Sequence, residues 1–319
     1  MSSRPQPPDA GESSGGRDRR PRVSIGMPVL NGARWLPEAL DCWLAQDYGD
    51  FELVVADNAS TDATPAILAD YRARDARLRV VRRPQTVPAI ENFLGLLADA
   101  RGCYFAWAAC DDLWEPGFLG RLVESLDQRP DVVLAYCQVD RVLADGRRSG
   151  GSYYTGAPPG VEASALGRAL GILRRARNHS MVYGLMRTDV LAGLSRFRMR
   201  NGIASDVALC LELACRGRFH CVPEILFHYR IHAQAAHVQR DDPMYADGRG
   251  RRVDEDTVAF VRGLPLSAVE QDLLLRELEL WCLKGQRPRP WLLRAKPVRW
   301  AYLASRRGII DLQRRMHRV

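Results

Sequence analysis

Between residues 23 and 137 the chain alternates short apolar runs with segments whose apolar residues recur every three or four positions. Val23–Met27, Glu52–Ala56, Leu78–Val81, Cys103–Ala109 and Val132–Cys137 have strand length. Between them, Trp35/Leu36, Ala39/Leu40 and Trp43/Leu44 fall on one face of a helix. Thr64 before Pro65 reads as an N-cap with proline in the first helical position, opening a helix to about Asp75. Further helices are predicted over Ala89–Ala100 and Pro116–Gln128. An order β-α-β-α-β-α-β-α-β demands an α/β fold, an open, mostly parallel sheet with helices on both faces. Such sheets bind ligands beyond the carboxyl ends of their strands.

Acidic residues follow the strands at that end. Asp57 follows the second, in a turn Asp-Asn-Ala-Ser-Thr-Asp. Asp111 and Asp112 follow the apolar run 103–109. Two adjacent ionised carboxylates are costly to bury, so the pair is expected at an open strand end with a cation nearby. A divalent metal carrying a phosphorylated ligand meets that need.

Beyond residue 150 the pattern loosens. Residues 150–160 form a glycine-, proline- and tyrosine-rich loop. A helix near Ala163–Arg175 precedes a strand at Met181–Arg187, Asp206–Arg216 reads as a helix, and Phe219–Tyr229 as a strand or hairpin interrupted by Pro223. Ser267-Ala-Val-Glu270 is a capping box, and Gly285 a plausible stop. The first 20 residues are rich in Ser, Gly, Pro and Arg and read as a disordered leader without the apolar core of a secretory signal. No apolar run approaches the roughly 18–20 residues that span a bilayer.

The formal charge of +8 is unevenly spread. Residues 284–319 hold 11 of the 46 Lys/Arg and a single acid, Asp311, leaving the rest of the chain slightly acidic. This speaks against nucleic acid as a partner of the body. The tail mixes Trp291, Trp300 and Tyr302 with arginines, and a basic amphipathic helix over 286–319 would suit peripheral contact with an anionic membrane. Packing on the fold or a partner is the equal alternative. The eight cysteines show no CxxC spacing and read as free thiols of a reducing, cytoplasmic setting. No G-x-G-x-x-G follows the first strand, and neither a P-loop nor a G-x-S-x-G elbow is present.

Val-Ser-Ile-Gly-Met-Pro-Val-Leu-Asn31, the Asp57–Asp62 turn, Gly-Cys-Tyr-Phe-Ala-Trp-Ala-Ala-Cys-Asp-Asp112, Asp206 and Arg230-Ile-His232 together resemble the family 2 glycosyltransferases of GT-A fold, over about residues 21–235. The resemblance implies a GT-A domain at 21–240, with a Rossmann-like nucleotide-sugar-binding half (21–140) and an acceptor-side half (141–240), and a helical basic extension at 241–319. It implies a nucleotide-diphosphate sugar donor (UDP-, dTDP- or GDP-linked), a glycan or lipid-linked acceptor, Mn2+ or Mg2+ as cofactor, and inversion at the anomeric carbon. The expected setting is bacterial surface polysaccharide or glycoconjugate assembly. By the same likeness Asp206 is the expected base. Pro28, Asn31, Asp57, Asn92 and Asp111 are expected on the donor, and Asp112 and His232 on the metal. Arg230 and His179 are expected near the diphosphate or acceptor. Where many relatives carry a further acid before the pair, Ala109 and Cys110 stand here. The rival readings are a nucleotidyltransferase on a similar sheet and a non-catalytic sugar-nucleotide-binding scaffold.

Overall fold

The structure is a computed structural model that describes residues 20–148, 158–176, 179–194, 205–232 and 253–285. The expectations for the leader, most of the 150–160 loop and the 286–319 tail lie outside those residues. The chain builds β1 (Val23–Val29), α1 (Leu36–Leu44), β2 (Phe51–Asp57), α2 (Thr64–Arg74), β3 (Leu78–Arg82), α3 (Ala89–Ala98), β4 (Tyr104–Trp107), β5 (Leu113–Trp114), α4 (Phe118–Gln128) and β6 (Val132–Leu143). Then come α5 (Ala165–Arg175), a 3-10 turn (Ser180–Tyr183), β7 (Leu185–Arg187), α6 (Thr188–Ala192), α7 (Ser205–Arg216), β8 (Arg218–Ile231), α8 (Glu255–Arg262) and α9 (Ala268–Gly285).

Eight strands form one sheet in the order β3-β2-β1-β4-β7-β6-β8-β5. β3, β2, β1 and β4 run parallel. β7 lies antiparallel between β4 and β6, and β8 continues parallel to β6. All of β2 and nearly all of β1 are buried, because helices cover both faces. α1 presents Leu36, Ala39, Leu40 and Trp43 to that core, and the Trp43 ring packs 4.6 Å from Trp114.

Three local expectations are corrected. The strand expected at Met181–Arg187 is a 3-10 turn followed by three residues of β7. Gly184 marks the change: a Cβ there would lie 2.4 Å from the Ala135 carbonyl oxygen. Pro223 does not break β8. The register with β6 slips there, pairing Cys137 with Val222 but Gln138 with Ile225, and a bulge tolerates the missing N–H. Thr64 opens α2 without capping it; its hydroxyl instead accepts from Gly32 N at 2.9 Å. The capping box stands, with Ser267 N donating to Glu270 at 2.8 Å.

At the amino end of the sheet Glu52 is 3% exposed. It accepts from Ser24 Oγ at 2.7 Å and from Arg101 Nε at 2.9 Å. Burial alone would raise this carboxyl, but the Arg101 and Ser24 hydrogen bonds outweigh it and hold the group below its ordinary range. Such a group stabilises the fold above its unfolded pKa, and that stability is lost as pH falls through the folded value. Glu52→Ala leaves the Ser24 hydroxyl without its acceptor and breaks the Arg101 ion pair, and is expected to cost about 2 kcal/mol at neutral pH in urea melts. The difference from wild type should shrink on acidification, and a difference that does not change with pH would refute this role.

Candidate active site

The site forms where β1, β2 and β4 end. β1 turns at Asn31, a left-handed residue with φ 53°, a conformation that asparagine tolerates. Asn31 N donates to Ser60 Oγ at 2.9 Å, and its Oδ1 accepts from Thr61 N at 2.8 Å. Ala33 N donates to Asp62 Oδ2 at 3.1 Å. These bonds zip the loop after β1 to the loop after β2. Ala59 is also left-handed, at φ 61°, a strained choice for a residue with a Cβ. A Cβ on Gly32 would sit 3.3 Å from Cys110 Sγ, so the same loop passes against the turn that carries Asp111.

Asp57 is 1% exposed at the end of β2. Its Oδ1 accepts from Ser60 N and its Oδ2 from Arg82 Nη1, both at 2.9 Å. Asn92 is buried and braces the wall behind: its Nδ2 donates to the Ala56 carbonyl at 3.0 Å, and its Oδ1 accepts from Arg83 Nε at 3.2 Å. Each end of that amide thus has a partner inside the protein. Pro28 is partly exposed, one residue before the end of β1.

The carboxylate pair sits between β4 and β5. Asp112 Oδ1 accepts from Arg230 N at 2.8 Å, whereas its Oδ2 is buried without a partner. Burial first, and then the Asp111 charge, raise the Asp112 carboxyl well above the ordinary range. Asp111 keeps contact with solvent and bonds His232 Nε2 at 2.8 Å. The other ring nitrogen of His232 is buried and unpartnered. Arg230 does not face an open pocket. Its Nε donates to the Asp111 carbonyl at 2.6 Å, its Nη2 pairs with Glu38, and its guanidinium lies 4.3 Å from the Trp35 ring centre.

The buried, unsatisfied Asp112 oxygen, with Asp111 beside it, fits a hard divalent cation. Among the described residues no three His, Cys, Asp or Glu side chains enclose a metal. Magnesium and manganese are commonly held by one or two carboxylates and complete their shells with phosphate oxygens and water. Cys110 is no substitute ligand, because burial and Asp111 push its thiol far up and keep it neutral.

Asp206 stands on the first turn of α7 with its side chain 45% exposed. Its Oδ1 accepts from Val207 N at 2.8 Å, and His179 Nδ1 lies 3.9 Å from its Oδ2. The His179 ring meets the Trp281 ring of α9 edge-on at 6.0 Å. Tyr183 is packed against the Phe227 ring at 5.6 Å, and burial first, then the Asp112 charge, raise its phenol well above the ordinary range. Sequence reading missed it, because residues 181–187 scan as one apolar strand.

The model of glycosyl transferase family 2 matches residues 24–179. The protein y4gI of Sinorhizobium fredii is 27% identical over 270 residues, which cover 83% of this chain but 28% of that protein. Among solved structures, S. aureus TarS superposes with a TM-score of 0.62 at 18% identity, over 86% of this chain and 75% of that one. The mannosyltransferase PcManGT of Pyrobaculum calidifontis, solved in complex with GDP-Man and Mn2+, gives 0.53 at 18% identity, over 88% of this chain and 83% of that one. At such identities the structural likeness establishes the fold, which is of GT-A type.

Proposed function

Because residues 24–179 belong to glycosyl transferase family 2, we propose that the chain moves a sugar from a nucleotide-diphosphate donor to an acceptor hydroxyl, with inversion and with help from a divalent cation. The observation that carries this reading is the carboxylate pair beyond the strand ends: Asp112 Oδ2 is buried without a partner, and Asp111 beside it keeps contact with solvent. In this reading Asp206, from the second half of the chain, is the facing base. Structural neighbours solved with UDP-GlcNAc and with GDP-Man and Mn2+ support donor and metal alike.

In this reading the loops after β1 and β2 take the nucleoside, with Pro28 and Asn31 on the rim. Asp57, fixed by Ser60 and Arg82, offers a carboxylate to the base or ribose. Held by Asp112 and Asp111, a divalent cation would stabilise the negative charge that gathers on the departing diphosphate. His232 orients Asp111 through its Nε2. On the opposite side Asp206 accepts the proton of the attacking hydroxyl, with His179 beside it to hold the carboxylate. Inversion in one displacement needs base and leaving group on opposite faces of the sugar, and Asp206 comes from a different half of the fold than Asp112. Surface polysaccharide or glycoconjugate assembly is the proposed setting, with a glycan or lipid-linked acceptor.

A panel of UDP-, dTDP- and GDP-sugars, assayed with and without Mn2+, tests the proposal. Metal-dependent release of a nucleoside diphosphate is expected. Release of pyrophosphate would point to nucleotidyl transfer instead, and turnover of no donor would leave a binding protein.

A further inference from the structure

We propose that Glu38, on α1, is a positioning residue for the Asp111/Asp112 pair, acting through Arg230 and adjusting the charge of the cleft to a divalent cation, a role that rests on the metal-assisted reading above. The Arg230 side chain is 2% exposed, so its charge must be met inside the protein. One residue grips both aspartates: the Arg230 main-chain N–H holds Asp112 Oδ1 at 2.8 Å, and Nε holds the Asp111 carbonyl at 2.6 Å. What remains of the guanidinium is drawn the other way, onto Glu38 and the face of Trp35.

Without Glu38, this buried cation, already bonded to the Asp111 carbonyl and already acting on the Asp112 carboxyl, is drawn toward the carboxylate pair, the oxygens a metal would use. Glu38 therefore keeps Arg230 from occupying the metal position. The charges point the same way. Among the four groups bonded to one another, Asp111, Asp112 and Glu38 against Arg230 sum to −2 when all are ionised. Loss of Glu38 alone leaves −1. The Glu38 side chain is itself 58% exposed, and an ordinary surface pair of that kind contributes little. Its weight here comes from the partner, which has no access to solvent. Trp35 is the platform for the assembly: Arg34 lies 4.4 Å over its ring, and the His232 ring packs at 5.3 Å.

The test is Mn2+ binding to the full-length protein, followed by electron paramagnetic resonance of the free ion and compared among wild type, Glu38→Gln, Glu38→Asp and Asp112→Asn. Glu38→Gln is expected to weaken Mn2+ roughly tenfold, a Coulombic effect of one charge at close range. The melting temperature should stay near wild type, and Glu38→Asp should recover most of the affinity because it keeps the charge. A merely structural role would move melting and binding together, with no rescue by aspartate, and that result would overturn the proposal. Wild-type affinity in Glu38→Gln, alongside a loss in Asp112→Asn, would overturn it as well while leaving the metal reading intact. Binding that Asp112→Asn does not alter would overturn the metal reading, and the role of Glu38 with it.

Discussion

Asparagine in place of Asp206 is expected to leave nucleotide-sugar binding unchanged and to slow transfer roughly 10²–10⁴-fold, the usual worth of a general base. Asp206 is 45% exposed on α7, and its Oδ1 accepts from the next residue, Val207 N. An amide there keeps the shape and that tie but cannot take a proton. Calorimetry of the donor and a rate measured under saturating acceptor separate the two quantities. A parallel fall in donor affinity would assign Asp206 to the donor pocket, and an unaltered rate would remove it from the chemistry.

Asp112→Asn is the second large effect. Transfer at fixed metal is expected to fall about 10²–10³-fold, the scale of losing one preorganised electrostatic stabiliser. Stability should move in the opposite direction. Burial and the Asp111 charge already disfavour ionised Asp112, so a neutral isostere relieves both penalties in the metal-free protein. A variant that melts no lower than wild type yet has lost its metal requirement or its activity supports the assigned role. A variant that simply unfolds, or that keeps the wild-type response to Mn2+, does not.

The order of elements in the first half could be read from sequence because β1, β2 and β4 are buried on both faces. Unbroken apolar runs such as Phe51–Ala56 then stand out against the amphipathic helices between them. The second half was harder. β7 is three residues long, and the 3-10 turn before it is as apolar as a strand, so periodicity merges the two. In the site, the acidic residues were recognisable because carboxylates at strand ends are conspicuous. The partners of Arg230 were not. Glu38 lies 192 positions away in sequence, and nothing local in either segment marks the pairing. The internal partners of Asn92, the Ala56 carbonyl and Arg83, were likewise not visible in sequence.

The reversed strand β7 has a consequence for how such a protein can diversify. It divides one continuous sheet into the parallel block β3-β2-β1-β4 on one side and, on the other, the parallel pair β6-β8 with β5 antiparallel at the edge. In the proposed reading the residues that address the nucleoside precede Gly184 in sequence, and Asp206, on α7, follows it. Recombination near Gly184 would then exchange one set of preferences while sparing the other, so donor and acceptor tastes would be separately heritable.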